Sequence, residues 1–469
     1  MEQPQWQHDL AVEARPQSVP AAVPRALVVE LEGALLRSDL LLEALLCEPG
    51  RMLGRRRTAS TSRREAFWRL LDEAPLDYAS LPYEQDVLNL ALAARAQGRK
   101  VYVAASRLRN HAEGIAAHLG FDGVMAAADL DAFDYIGSGR PADDLWQAAS
   151  FAQIVGASDD RVAQLAPLNP SLQKIAGRNV GLKTWLNALR VYQYAKNTLV
   201  FVPLVTAHQM SLPALGAAML AFLAFSACAS GAYLMNDLLD LAADRQHPTK
   251  RHRALAAGDL PIASALIAIP VLWLGAFAAS LCISGAFVAV LAAYLATTIA
   301  YSLLLKRKML LDVVTLAGLY TLRIVAGAVG IGVVLSEWLL MFSLFVFTSL
   351  ALIKRFSELT LRQGAGLADP ANRDYRIGDL QVIAAMAAAS GMNAVIVFSL
   401  YVSSSAVTAL YSRPWMLWLL NPLLLYWFGR ALMMAHRREM PDDPILYTFK
   451  DNASRITVAA MICIMLAAI

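Results

Sequence analysis

From about residue 190 to its last residue the chain is a succession of apolar runs, each close to the length that one helix needs to cross a bilayer. Roughly 20 apolar residues make one crossing, and only a helix or a closed barrel satisfies its backbone inside lipid. Candidate spans fall at 190–210, 212–236, 262–282, 284–304, 310–333, 337–355, 380–403, 414–433 and 455–469, which predicts an all-α bundle of about nine transmembrane helices. With 57% hydrophobic residues the chain is too apolar for a soluble enzyme of its 469-residue length, yet residues 1 to about 185 mix charge with aliphatics as water-soluble domains do. The expectation is a multi-domain protein: a flexible tail over 1–24, an α/β domain over 25–180 and a membrane domain over 181–469.

The basic residues carry topological information. Alternate connections hold Arg245, Lys250, Arg251 and Arg253, then Lys306, Arg307 and Lys308, then Lys354, Arg355, Arg362, Arg373 and Arg376, and finally Arg437, Arg438 and Lys450. The intervening connections hold little beyond Arg413. By the positive-inside tendency, the charged loops and the N-terminal domain face the cytoplasm of a multi-pass protein of the cell's inner or plasma membrane. The Pro-, Gln- and Ala-rich first residues lack the basic and apolar regions of a secretory signal. The net charge of +4 and the absence of a basic tract interleaved with aromatics give no reason to expect nucleic acid. Cys47, Cys228, Cys282 and Cys463 are scattered, without CxxC or Cys/His spacing, and are expected as buried thiols.

One span ends in NDLLDLAADRQHPTKRHRALAAG. On a continuous helix Asp237, Asp240 and Asp244 lie at i, i+3 and i+7, with Asn236 beside them, so their side chains share a face. Carboxylates gathered at a membrane boundary repel unless a cation sits among them, and hard oxygen ligands suit Mg2+, which commonly bridges carboxylates to substrate phosphates. Lys250, Arg251 and Arg253 follow within a few residues, where they can bind phosphate oxygens that the metal does not reach. The bland reading of each half is a solvated helix end and an ordinary basic loop. Together they read as a magnesium diphosphate site.

These residues resemble a known family. Asn236-Asp237-x-x-Asp240-x-x-x-Asp244-Arg245, with Lys250-Arg251-x-Arg253 after it, looks like the first signature of the UbiA superfamily of intramembrane prenyltransferases, and YSLLLKRKMLLD, with Tyr301, Lys306 and Asp312, is similar to the second. The likeness runs from RVYQYAKN, with Lys196 and Asn197, through the last span. LAGLYTLRIVAGA and LALIKRFSELTLRQGAG resemble most the decaprenyl-phosphate phosphoribosyltransferase group, which implies phosphoribosyl diphosphate as donor and a polyprenyl phosphate lipid as acceptor. Aromatic prenyltransferases of the superfamily carry a second aspartate four residues after the first, where Leu316 stands here. Tyr320 and Arg323 sit inside the fifth run, and an intramembrane arginine is by default a functional-site residue. Lys354, Arg355 and Glu358 leave a long span as either ligand-binding groups or interfacial anchors.

In the N-terminal domain, ALVVELEGALLRSDLLLEALL reads as strand, turn and helix, and RKVYVAAS followed by a helical stretch repeats the pattern, which is α/β, Rossmann-like architecture. It resembles the haloacid-dehalogenase phosphatase fold with its chemistry lost. Glu30 and Glu32 stand where the family has two aspartates, and a longer side chain misplaces the attacking oxygen. Ser106 matches the second motif, but no lysine occurs between Lys100 and Lys174, Ser138 stands where a metal-binding aspartate is expected, and Asp143 or Asp144 is at most a remnant.

The expectation is a Mg2+-dependent displacement of diphosphate. Asn236, Asp237, Asp240, Asp244 and Asp312 would hold the metal, while Lys250, Arg251, Arg253 and Lys306 take charge developing on the leaving group. Prenyl transfer from a polyprenyl diphosphate to an aromatic acceptor would use the same metal site, and a membrane anion-binding or transport protein would use the same charges without chemistry. The DGxxAR opening of CDP-alcohol phosphotransferases is absent. Chain length, acceptor identity and oligomeric state do not follow from the residues.

Overall fold

A computed structural model describes residues 25–47, 63–125, 132–139, 143–177, 180–370, 373–404, 407, 410–440 and 444–469. The expected tail over 1–24 lies outside them, as does the side chain of Asp143. The chain divides at residues 179–180 into two units.

Short apolar runs bounded by turns make the strands of the first unit: β1 Ala26–Val29, β2 Val101–Ala104, β3 Gly123–Met125, β4 Phe133–Gly137, β5 Phe151–Val155 and β6 Gln173–Ile175. They form one sheet in the order β3-β2-β1-β4-β5-β6, with every neighbouring pair parallel. A parallel sheet is covered on both faces, so its strands carry apolar residues at successive positions. Leu27 and Val29 accordingly pack into one core with Val101, Val103 and Ile115, and Val28 into the other with Tyr135, Trp146 and Ile154. The chain leaves β1 toward β2 and β3 and later returns to β4 on the other side. This reversal opens a crevice at the carboxyl ends of β1 and β4, the usual ligand position of such sheets.

The second unit contains α1 Leu212–Leu239, α2 Ile262–Leu281, α3 Gly285–Leu303, α4 Leu311–Ile331, α5 Glu337–Gly364, α6 Leu380–Val402, α7 Leu420–His436 and α8 Asn452–Ala468. Helix α4 is central, packing against α1, α3 and α5. One core joins Phe225 and Cys228 of α1 to Phe287 and Tyr294 of α3 and Leu319 of α4, and another joins Val313 and Ile324 of α4 to Leu350 and Leu352 of α5 and Ile383 of α6. Gly327 of α4 lies under the carbonyl of Val200, where a Cβ would come within 2.0 Å of the oxygen. Only a glycine permits that approach, as small residues do at helix contacts in membranes.

The count of crossings differs from the expected nine. Among the described residues seven helices are long and apolar enough to span, or eight if Pro444–Lys450 and Asn452–Ala468, bent by 88°, form one broken span. The run expected to begin the bundle at 190–210 is a 3-10 winding over Val191–Phe201 followed by the short helix Val202–Thr206. Lys196 and Asn197 turn inward from it and are buried. The cysteines differ too: Cys228 is buried and Cys47 partly so, but Cys282 and Cys463 are exposed on helices whose outer faces carry apolar residues.

Candidate active site

The first acidic motif is not one continuous helical face. Helix α1 stops at Leu239, Asp240 caps it, and a separate short helix, Leu241–Gln246, carries Asp244. The three aspartates therefore separate into two settings. Asp237 and Asp244, both buried, accept hydrogen bonds from the same nitrogen of Arg253, at 3.0 Å and 2.5 Å. Arg190 also pairs with Asp237, and the Lys250 ammonium lies 4.0 Å from Asp244. Asp240 faces elsewhere, accepting from Lys306 with both oxygens at 3.0 Å and 2.9 Å and from Asn236 at 3.1 Å. Arg251 is exposed, and among the described residues its side chain meets only the neighbouring His252 ring, at 3.4 Å.

Asp312, expected in the metal set, is held in a third setting. It is fully buried and accepts from Arg355 Nε at 2.7 Å, Tyr375 OH at 2.5 Å, its neighbouring Val313 N–H at 2.8 Å and Arg373 at 3.4 Å. Arg355 in turn donates to Glu358 at 2.5 Å. The anchor reading of this trio is thus corrected for Arg355 and Glu358, which turn into the protein because a buried carboxylate needs a charged partner. Tyr375 also accepts from the Leu310 N–H at 2.9 Å, which holds Leu310 in a left-handed turn at φ 61°. Burial, and then the bond to Asp312, push the Tyr375 phenol above its usual pKa.

Among the described residues no three His, Cys, Asp or Glu side chains gather as a ready metal cluster. The donors nevertheless suit magnesium. A single cationic nitrogen lies between the oxygens of Asp237 and Asp244, so the two carboxylates face one point, and Mg2+ is ordinarily held by one or two carboxylates with substrate phosphates and water completing its shell.

Beside these pairs is a cavity of about 250 Å3 whose described lining residues include four cations, Arg190, Lys196, Arg323 and Lys354, and no carboxylate. Tyr233, Tyr294, Tyr301 and Tyr320 also line it, with Asn236 at its edge. Arg323 is buried between the rings of Tyr294 and Tyr320 and donates to Asn197 at 2.9 Å, to the Leu319 carbonyl and to Tyr294 at 3.0 Å. Lys196 reaches Gln193 at 3.2 Å and lies over the Tyr320 ring. An apolar groove of about 530 Å3 between the 3-10 winding, α5, α7 and α8 adjoins the cavity, with Lys196, Leu350 and Ile445 lining both. Sequence reasoning assigned no role to Arg190, Tyr294 or Tyr375, and placed Arg373 only as a topological charge. Arg190 stood in a quoted motif, whereas Tyr375 carried no signal because it meets Asp312 from 63 residues away.

A bundle of long apolar helices with paired acids and bases at one end defines a multi-pass integral membrane transferase. Residues 198–453 match the UbiA prenyltransferase family, and the chain belongs to that family. The Sinorhizobium fredii protein y4nM is 32% identical over 91% of this chain and 88% of its own length. Decaprenyl-phosphate phosphoribosyltransferase of Mycobacterium tuberculosis is 33% identical over 39% of this chain and 62% of that protein. The solved structure of a UbiA homolog from Archaeoglobus fulgidus bound to GPP and Mg2+ aligns with a TM-score of 0.47 at 16% identity, covering 60% of this chain and 99% of that one.

Proposed function

We propose that the chain transfers the 5-phosphoribosyl group of phosphoribosyl diphosphate to a polyprenyl phosphate. The observation that carries this reading is the cavity beside the acidic motif, with four cations, four tyrosines and no carboxylate among its described lining residues. A phosphorylated sugar diphosphate bears anionic groups at two ends and hydroxyls between them. Cations on several walls with phenols among them match that distribution. The partial-length likeness to decaprenyl-phosphate phosphoribosyltransferase points the same way.

In this reading Asp237 and Asp244 hold magnesium with Asp240 and Asn236 nearby, and Arg253, Lys250, Arg251 and Lys306 attend the diphosphate. Bound magnesium neutralises charge on the leaving diphosphate. An oxygen of the acceptor phosphate attacks C1 of the ribose, the bond from C1 to the diphosphate breaks, and the electron pair leaves with that diphosphate. The acceptor is already anionic, so no strong general base is needed. Lys196, at the junction of cavity and groove, holds the acceptor phosphate, with Tyr301, Tyr320, Arg323 and Lys354 around the sugar phosphate. Asp312, Arg355 and Glu358 shape that wall, and Asn197 orients Arg323. The apolar groove takes the lipid tail, and the bundle keeps bulk water from the electrophilic carbon.

Membranes containing the chain, given radiolabelled phosphoribosyl diphosphate, decaprenyl phosphate and Mg2+, should move label into the lipid extract. No transfer there, together with consumption of a polyprenyl diphosphate and an aromatic acceptor, would replace this reading with prenyl transfer, which the same groove accommodates.

The N-terminal unit is proposed as a degenerate haloacid-dehalogenase-type domain with a docking or regulatory role on the cytoplasmic side. Glu30 bonds to the backbone and hydroxyl of Ser138, at 2.5 Å and 3.0 Å, across the crevice where that family does its chemistry. The full chain should not hydrolyse small phosphate esters with Mg2+, and turnover abolished by Glu30→Ala would refute this.

A further inference from the structure

We propose that Arg455 of α8 is a recognition residue for the lipid acceptor, meeting the phosphate of an isoprenoid monophosphate as it enters from the bilayer and passing it to Lys196. This rests on the phosphate-acceptor reading above and adds a residue that neither the motifs nor the cavity beside them includes. The apolar groove is lined along most of its length by residues such as Phe342, Phe347, Trp427 and Ile462, and among its described lining residues only Lys196 and Arg455 are charged. Lys196 also lines the polar cavity, so one cation stands where groove and cavity meet and the other stands on the groove alone.

The two cations are differently placed. Lys196 is buried and held by Gln193. Arg455 is exposed, and among the described residues its guanidinium reaches only Asn452, at a long 3.4 Å. The nearby carboxylate of Asp451 is occupied by Arg430, through two bonds of 3.1 Å and 2.9 Å, and by Ser454. Arg455 therefore keeps its planar fork for an external anion, and such a fork matches phosphate oxygens bidentately. An isoprenoid phosphate has to bring a charged head past an apolar wall, which is unfavourable unless cations accompany it. A relay of one exposed and one buried cation provides that, with the tail following along the groove. The competing role for Arg455 is an interfacial anchor that reaches the headgroup layer. An anchor serves any anionic lipid and does not distinguish a phosphate from an alcohol within the groove.

The test is equilibrium binding of labelled farnesyl phosphate and of farnesol to the full chain in phosphatidylcholine nanodiscs. Wild type should prefer the phosphate, and Arg455→Gln should reduce that preference by about tenfold, the order of one charged hydrogen-bonded contact. Farnesol binding and the KM for phosphoribosyl diphosphate should stay unchanged, and Arg455→Lys should restore most of the preference. Ile462→Trp, which narrows the groove, should weaken both ligands equally, so head and tail effects separate even if one variant inserts poorly. An unchanged preference in Arg455→Gln overturns the role of Arg455 and leaves the acceptor reading standing. Wild type that binds phosphate and alcohol alike overturns the phosphate-acceptor reading and this proposal with it. Equal competition by phosphatidylglycerol makes Arg455 a bulk-lipid anchor and also overturns it.

Discussion

Two aspartate settings at the polar end of the bundle use the same chemistry to opposite effect. Around Asp237, Asp240 and Asp244 each carboxylate meets a basic side chain that arrives from another segment, and Asp240 keeps 33% of its side chain exposed. Around Asp312 the carboxylate has no exposure at all and accepts from a tyrosine, two arginines and its own backbone. In the proposed reaction the partners of the first setting give way to a ligand and a metal. The second has no acceptor position left, and it resembles a structural ion cluster that fixes the Lys306 turn against helix α5, which carries Arg355. An acidic residue in a motif can therefore serve the reaction either by touching its charges or by holding the residues that do.

The largest expected difference between the settings is in stability. Asp312→Ala would leave Arg355 and Arg373 facing one another across a buried space, and removing one partner of a buried pair costs about 3–5 kcal/mol. The solubilised variant should show a strongly lowered melting temperature. A variant that melts like wild type and loses only turnover would move Asp312 into the group proposed to hold the metal. Asp240→Asn is expected to do the reverse, melting normally while losing at least about a hundredfold in turnover, the scale of one lost electrostatic contact to developing charge. Near-full activity of Asp240→Asn at saturating Mg2+ would sink the reading of the acidic motif. Tyr375→Phe should come next in size. It removes one bond to a charged group and the acceptor for the Leu310 N–H, a loss of about 1.5–3 kcal/mol, read as a lowered melting temperature with turnover reduced through the displaced Lys306 loop. Equal melting with unchanged turnover would break the link between the two settings.

Much of this arrangement is legible from the residues. Apolar run lengths locate α1 to α4, α6 and α8 within about three positions, because a membrane helix satisfies its own backbone and depends little on distant contacts, whereas α5 runs on to Gly364, past its expected end at 355, and α7 begins at Leu420 rather than 414. The 3-10 winding is not legible in the same way, since its apolar residues are as long a run as the others and its geometry follows from packing on Gly327 and from the inward turn of Lys196 and Asn197. Spacing placed Asp237, Asp240 and Asp244 on one face, which holds only for a helix that continues. The break at Asp240 arises with a tertiary partner, Lys306, 66 residues away. Arg355 illustrates the general limit: a cation at the end of a span reads equally as an anchor or an inward ligand, and only the carboxylate it meets decides. In the N-terminal unit, alternation and turn residues were enough to expect the α/β class, whereas Glu30 reaching Ser138 across the crevice depends on strand order.

The smallest expected effect sharpens the comparison within the open setting. Arg253 bridges two buried carboxylates, but Arg251, two residues earlier in the same loop, is exposed and its side chain meets only His252 among the described residues. If Arg251 attends the donor diphosphate it does so in the ground state as well as during reaction, so Arg251→Ala should raise the KM for the donor and leave kcat nearly unchanged. Exposed charge contacts are worth about 0.2–1 kcal/mol, which corresponds to a rise of about fivefold at most. Such a contact is also screened by salt, whereas a buried pair is screened much less. The KM ratio between Arg251→Ala and wild type should therefore shrink toward one as ionic strength rises. A ratio that persists in high salt, or a loss in kcat comparable to that of Asp240→Asn, would show that Arg251 folds over the site when the donor binds and belongs with Arg253 rather than with the solvated loop.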